Sequence, residues 1–445
     1  MQTFAVGVDL GTGGLRAVAV TPHGEVLASA GRPIETQVDG DRREQRVADW
    51  VAALEAVLDA IFAEVQGRVM GIAVASTSGT VACGDTALLY SDGRARDEAA
   101  RCSQALGRPL GPSCGLPKQL WLARHQGAGP LVHAVDVLNA WLLGRACATD
   151  FTSALKSGYE GGWPEPIFTV LGLPREHFPA VVSPSADLGA VRPALCRRWG
   201  LDGHPRVLAG ATDANAAFYA SGAVRCGQWA TALGSTLAIR GETPEGFDDP
   251  TGRLYRHRHP DGGFVAAGAS NAGFLGIAGA RFEDLDPTTL PQGAFYPLAG
   301  RGERMPFVSD EATAFWCGTP CGDGGAAFGL ALIERWCHAL AASMGAPPAQ
   351  AVFSTGGGAR HDGLCQLRAN VLGVPVHRAR FPDACFGAAV LAVAGARGAP
   401  VATVAHEMVR IERTFEPQPL PGVEAWLDAL RTAVENRAWR ARPPS

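Results

Sequence analysis

Lysine is almost missing from this chain of 445 residues: of its 39 basic residues, only Lys118 and Lys156 are lysines. A Walker phosphate loop needs Gly-x-x-x-x-Gly-Lys-Ser/Thr, and neither lysine stands in that context (CGLPKQ and SALKSG). Any nucleotide phosphate must therefore be held another way. A surplus of positive charge is also missing, since 43 acidic residues leave a formal net charge of -4. That argues against nucleic acid as a partner, because phosphate backbones are bound chiefly through clustered cations. Long apolar runs are absent too. The longest, FGAAVLAVAGA from Phe386 to Ala396, is too short to span a bilayer. The opening MQTFAVGVDLG has no basic leader region, and Asp9 interrupts its apolar run. The eleven cysteines are scattered, and the close pair Cys317 and Cys321 lacks a second Cys/His pair at zinc spacing. A soluble cytoplasmic protein with reduced thiols and no membrane partner is expected.

What the chain has is core-forming material and glycine. Hydrophobic residues make up 47% and charged residues 18%, a balance that excludes disorder. The length points to two or three domains. Glycine, 56 residues against a usual share of about 7%, announces tight turns and close backbone approaches.

Residues 4–8 read as a buried strand, followed by the turn LGTGG and a second strand, LRAVAV. A dinucleotide fingerprint needs a helix directly after its glycines. Here a strand follows, so the glycines close a hairpin; TPHGE then turns the chain into a third strand, VLASA. Between Ala48 and Val65, Trp50, Leu54, Val57, Leu58, Ile61, Phe62 and Val65 recur at helical spacing. VMGIAVAS follows as a buried strand, and a helix is expected over 131–143. This order predicts an α/β fold with a mixed sheet.

The opening recurs. WATALGSTLAIRG, Trp229 to Gly241, again runs strand, glycine turn, strand, with Gly234 lying 223 positions after Gly11. Two related α/β domains are expected, each presenting a glycine hairpin whose backbone N–H groups can bind a polyphosphate, helped by the hydroxyls of Thr12, Ser235 and Thr236. A third glycine element, AVFSTGGGARHDGL, leads a branched strand into Gly356, Gly357 and Gly358 and then a helix ending near Gly373. Bare backbone there suits a flat ligand such as an adenine or a ribose.

These segments resemble a known family. VGVDLGTGGLRAVAV is similar to the first phosphate motif of the superfamily of sugar kinases, heat-shock chaperones and actin. AGATDANAAFYASGA, ALGSTLAI, STGGGA and FGAAVLAVAG, in that order, resemble the FGGY family of carbohydrate kinases. STSGTV (76–81), LPKQLWL (116–122), SALKSGY (153–159) and YPLAGRGERMPF (296–307) are most similar to a short subgroup of D-ribulose kinases and xylulokinase-like proteins. The resemblance implies two ribonuclease-H-like (actin-like ATPase) domains with ATP and sugar meeting in an interdomain cleft. Residues 1–220 plus 405–445 would form the sugar and catalytic side, and 221–404 the ATP side. The superfamily's chaperones carry a further substrate-binding domain, whereas the last motif here ends about 50 residues before Ser445.

Phosphoryl transfer to a sugar hydroxyl needs a base, a divalent metal on the phosphates and donors for the equatorial oxygens. Asp213, after the apolar run RVLAG, reads from the residues alone as a helix N-cap. The resemblance makes it the general base. Asp9 at the end of the first strand reads either as an Asx turn to the LGTGG amides or, by the resemblance, as a Mg²⁺ ligand, with Asp213 also sensing the metal. ATP contacts are expected from Gly11, Thr12, Gly13, Gly234, Ser235, Thr236, Gly356, Gly357, Gly358 and His361, with Leu364 nearby. Sugar contacts are expected from Asp9, Ser78, Lys156 and Asp213. Many xylulokinases carry Gln-Met-His-Gly after the fourth strand. Here Thr77, Ser78, Gly79 and Thr80 stand there, so that sugar pocket does not carry over intact. The expected activity is ATP-dependent phosphorylation of a free ketopentose, D-ribulose first. D-xylulose, another ketose or polyol, or a non-catalytic sensor are the alternatives. Oligomeric state is silent in the sequence.

Overall fold

The computed structural model describes residues 2–127, 129–247, 249–437 and 439. The chain divides into two units, Met1–Ala220 with Phe381–Val409, and Ser221–Arg380 with Arg410–Ser445.

The first unit is built on a six-stranded sheet of β1 (Thr3–Gly11), β2 (Gly14–Val20), β3 (Val26–Pro33), β4 (Arg68–Ser76), β5 (Asp187–Ala190) and β6 (Arg206–Thr212), in the order β5-β6-β4-β1-β2-β3. β1, β2 and β3 form an antiparallel meander, and β1, β4 and β6 run parallel. Strand alternation sorts β1 into two faces. Phe4, Val6, Val8 and Leu10 enter the core that holds Trp50, Leu54, Val57, Leu58, Ile61 and Phe62 of the helix Val47–Glu64, the apolar stripe that the sequence spacing marks. On the other face a Cβ at Gly7 would collide with Cys385 and Ala389 of the helix Ala384–Arg397. That helix is buried throughout Cys385–Ala394, and its Gly387 lies against Ala216 of the helix Asp213–Ser221. Glycine at these contacts lets backbones approach where any side chain would block them.

A smaller five-stranded sheet, joining 37–39, 42–46, 81–83, 86–88 and 132–133, extends this unit. It packs with the helices Arg96–Leu106 and Gly115–His125 around Val81, Cys102, Leu116, Leu120 and Ile167. The helix expected over 131–143 begins at Ala134, because 132–133 pair as a strand with 81–82.

The second unit repeats the meander. β7 (Gln228–Leu233), β8 (Leu237–Thr243), β9 (Leu254–Arg258), β10 (Phe264–Ser270), β11 (Ala351–Thr355), β12 (Val376–Ala379) and β13 (Ile411–Phe415) are arranged β9-β10-β8-β7-β11-β12-β13. β7 pairs antiparallel with β8 and parallel with β11. The helices Gly322–Ser343, Asp362–Leu372 and Val423–Glu435 contribute Phe328, Ile333, Leu364 and Leu427 to the core beneath.

The expected boundary at 405 is corrected. Residues 381–409 belong to the first unit because the small-residue helix Ala384–Arg397 packs on β1, β4 and β6. The tail from Arg410 belongs to the second, because β13 pairs with β12 and the helix Val423–Glu435 packs on Gly322–Ser343. Among the described residues no helix is long and apolar enough to cross a membrane.

Candidate active site

In parallel sheets the carboxyl ends of the strands gather at one edge, where loops can build a site. In the first unit Leu10 and Thr212 both register against Ser76. The register therefore delivers Asp9, the 11–14 turn, the 77–80 turn and Asp213 to the same edge.

Asp9 shares its face of β1 with Gly7, is 3% exposed, and pairs across the hairpin with Arg16, Nη2 to Oδ2 at 2.9 Å. The Asx turn expected as its alternative is replaced by this cross-strand pair. Oδ1 of Asp9 is buried and accepts no hydrogen bond among the described residues. Burial, and then the charge of Asp213, push the Asp9 carboxyl up to about 6 against the opposing pull of Arg16. Asp213 opens the helix Asp213–Ser221, and its Oδ1 accepts the Ala214 amide at 2.7 Å.

An orphaned carboxylate oxygen beside a second carboxylate fits a divalent cation. Among the described residues no group of three or more His, Cys, Asp or Glu side chains could hold a metal. An ion at Asp9 and Asp213 would thus complete its shell with water and phosphate oxygens, the habit of magnesium.

The two glycine turns are held by their carbonyls. The Thr12 carbonyl accepts from Gln45 and Thr36, and that of Gly13 from Ile34. In the second unit Phe274 and Leu275 donate to the carbonyls of Gly234 and Ser235. The amides of Thr12, Gly13, Ser235 and Thr236 donate to no acceptor among the described residues, as an anion-binding turn requires. The Gly234 amide departs from expectation: it is spent on the Thr236 carbonyl at 3.0 Å, closing the turn.

The glycines divide by cause. Gly13 and Gly234 have open space where a Cβ would stand, so the protein itself does not require glycine there. Gly356 has φ +79° and would strike the Leu233 carbonyl, and a Cβ on Gly358 would lie 2.8 Å from the Leu233 side chain. Both shape the turn against β7. Gly357 has room, facing Phe274 at 3.8 Å. His361 stands at the start of the helix Asp362–Leu372 without capping it, edge-on to Phe282 (ring centroids 5.4 Å) and Phe274 (6.0 Å). Leu364 is wholly buried in the core, which removes it as a ligand contact.

On the sugar side, Thr77 and Thr80 lock the turn with a 2.6 Å hydroxyl contact. Gly79 is glycine of necessity, with φ +84° and the Ser113 carbonyl where a Cβ would stand. Lys156 lays its stem over Gly79 and its Nζ 3.4 Å from the Ser78 carbonyl. Lys118 is a neighbour of Lys156. It is 0% exposed, bonds the carbonyls of Pro112 (2.6 Å) and Cys114 (3.2 Å), and is brought down to about 7 by burial. Cys114 holds it up somewhat, while the charge of Lys156 lowers it further.

Residues 4–219 match the N-terminal domain of the FGGY family of carbohydrate kinases, and residues 223–396 match its C-terminal domain. The chain belongs to the FGGY family of carbohydrate kinases. A xylulose kinase of Lactococcus lactis is 25% identical over 58% of this chain and 57% of its own length. One of Escherichia coli is 26% identical over 83% and 84%. A glycerol kinase of Gloeobacter violaceus is 26% identical over 84% of each. The crystal structure of a xylulose kinase from Rhodospirillum rubrum superposes with a TM-score of 0.84 at 23% identity, covering 98% of this chain and 100% of that one. The two-domain ribonuclease-H-like fold of the actin-like ATPases thus holds for this FGGY chain.

Two residues near the site escaped the sequence reading. Arg16 lies seven positions after Asp9, and only the hairpin register brings them face to face. Phe274, in SNAGFLGI, follows no glycine motif, yet it braces the second turn and borders Gly357.

Proposed function

We propose that this FGGY kinase transfers the γ-phosphoryl group of ATP to a free ketopentose, D-ribulose first, giving the 5-phosphate. The observation that carries the reading is the pairing of two carboxylates, Asp9 and Asp213, at the strand-end edge that also holds the 77–80 turn. Asp213 takes the proton from the sugar hydroxyl. Its position at a strand end among small residues leaves room for the hydroxyl to approach. Asp9, fixed by Arg16, would hold Mg²⁺ together with Asp213, and the ion would offset charge on the phosphates.

The unspent amides of Thr12 and Gly13, with the Thr12 hydroxyl, suit a phosphate at the first turn, and those of Ser235 and Thr236, with their hydroxyls, suit a phosphate at the second. Bare backbone at Gly357, beside His361 and Phe274, accommodates the flat part of the nucleotide. Ser78 and Lys156 bind the sugar hydroxyls. D-ribulose is favoured by the small 77–80 turn, which has Ser78 and Gly79 where the xylulokinase resemblance expects Met and His, removing two bulky contacts and leaving the Ser78 hydroxyl for the sugar.

A second reading, D-xylulose, is favoured by the names of the relatives. The glycerol kinase, at the same 26% identity as the Escherichia coli xylulose kinase, shows that overall identity does not choose the sugar. The test is ADP release from Mg-ATP with D-ribulose, L-ribulose, D-xylulose, L-xylulose, ribitol and glycerol. D-ribulose giving the highest kcat/KM supports the proposal. D-xylulose winning transfers the assignment to the second reading. ATP consumption that no sugar stimulates points to a sensor.

A further inference from the structure

We infer that Thr152 is a positioning residue for Asp213: its buried hydroxyl substitutes for a missing neighbour strand at the amide of Thr212, the residue before the carboxylate. This inference rests on the base role proposed for Asp213.

β6 pairs with β4 on one side over Arg206–Leu208 and again at Ala211 and Thr212, with a bulge between, but on the other side β5 pairs only as far as Leu208. Beyond that point the outward backbone groups need other partners, since buried amides are costly to leave unmade. Ala209 and Gly210 donate to the carbonyls of Ala186 and Pro184, and the Ala209 carbonyl accepts from Asn139. The last outward amide, that of Thr212, donates to Oγ1 of Thr152 at 2.8 Å. Thr152 is 1% exposed and lies 60 positions away in sequence.

The direction of this relay is fixed. The Thr152 hydroxyl donates to Oδ1 of Asp150, which also accepts the amides of Thr152 (2.7 Å) and Ser153 (3.0 Å). With its proton committed to a carboxylate, the hydroxyl has only lone pairs to offer, and Thr212 supplies the complementary N–H. The hydroxyl of Thr212 is gripped as well, by Asn215 Nδ2 at 2.7 Å. With its amide and its hydroxyl both tied, Thr212 is held as the residue that leads into Asp213, and with it the direction of the carboxylate.

The segment that carries Asp150 and Thr152 continues directly to Lys156. Ser157, the next residue, is anchored to Nε2 of His133 at 2.9 Å, with Asp136 and Thr149 on that ring's Nδ1. Residues 149–158 therefore touch Thr212, the residue before the proposed base, through Thr152 and the sugar-side turn through Lys156.

The experiment compares T152V, T152S and D213A, with D-ribulose and D-xylulose as acceptors and melting temperature followed separately. T152V keeps the shape and removes the relay. Its kcat is expected to fall on the order of 10- to 100-fold, the scale of an ångström-sized misplacement of a reacting group. The KM for ATP should stay within about 2-fold, because the nucleotide-side turns are untouched. T152S, which keeps the hydroxyl, should restore kcat to within about 3-fold of wild type.

A folded T152V with wild-type kcat, or a loss that serine does not rescue, overturns the inference. D213A separates the two levels. If it is inactive while T152V is normal, only the positioning role falls; if D213A retains turnover, the base assignment itself fails. Should T152V not fold, amide hydrogen exchange on the wild-type protein decides. The Thr212 N–H should be strongly protected, and rapid exchange there would remove the relay.

Discussion

The two glycine hairpins are built alike and charged differently. In both, a buried strand runs into a short glycine turn whose carbonyls are bound from below while its upper amides are left unspent. Two positions before Gly11 stands Asp9, opposite Arg16; two positions before Gly234 stands Ala232, opposite Ala238. The backbone device is shared, and the side chains divide the labour. The first turn combines amide donors with a carboxylate able to share a cation, whereas the second offers amides and the hydroxyls of Ser235 and Thr236 alone.

The largest expected effect breaks the comparison at its charged position. Asp9→Asn should lower sugar-dependent turnover by roughly 10³-fold, the upper range for losing one preorganised electrostatic contact. Ala232→Ser, at the matching place, should leave it within about 2-fold. Steady-state rates at saturating Mg-ATP read both, and an active Asp9→Asn would end the division drawn here.

Next in size are the glycines. Gly13→Ala and Gly234→Ala should raise the KM for ATP about 10-fold, a cost of about 1.4 kcal/mol. Their melting temperatures should move little, because each site has room for a Cβ. Gly14→Ala is the contrast: with φ +157° and a Cβ 2.6 Å from the Arg32 carbonyl, it should lower the melting temperature by several degrees. Equal destabilisation in all three would mean that the turns want glycine for folding alone.

A third prediction concerns pH. The Asp9 carboxyl is raised in the folded protein from 3.8 to about 6, so the folded state holds its proton more tightly than the unfolded state does. Ionised Asp9 therefore costs stability above pH 6, by up to about 3 kcal/mol at 1.36 kcal/mol per unit. That cost fades as pH falls from 6 towards 4. In metal-free buffer Asp9→Asn should be more stable than wild type at pH 8, and the two should converge near pH 4. Denaturant unfolding at the two pH values checks the sign. The same ionisation predicts that activity declines as pH drops through 6. The smallest effect expected is from Ser235→Ala, about a 3-fold rise in the KM for ATP through loss of one hydroxyl contact.

Much of this arrangement is written in local sequence. The hairpins follow from apolar runs broken by glycine, the helix Val47–Glu64 from the spacing of Trp50, Leu54, Ile61 and Phe62, and Asp9 stands out as a charge in a buried strand. What is not legible depends on distance along the chain. Arg16 finds Asp9 only through register. Lys118 and Lys156 become neighbours only when the helix Gly115–His125 packs beside the segment at 155–157. The apolar stretch at 386–396 is expected in the second half, within 221–404; the fit of Gly387 against Ala216 assigns it to the first. Leu364 sits next to a glycine motif yet points into the core, because helical periodicity, not proximity in sequence, sets its direction.

That returning helix also bears on how the chain is made. β1 is among the first segments synthesised, but the helix that covers its Gly7 face emerges more than 370 residues later. The whole second β-meander must be threaded out in between. A nascent chain stalled before residue 384 would expose the small-residue face of β1, a surface inviting wrong partners. Closing that pairing is a long-range event, slow by loop entropy. Fragments ending near Arg380 should accordingly behave as sticky, incompletely packed species, and separately supplied residues 381–409 should improve their solubility.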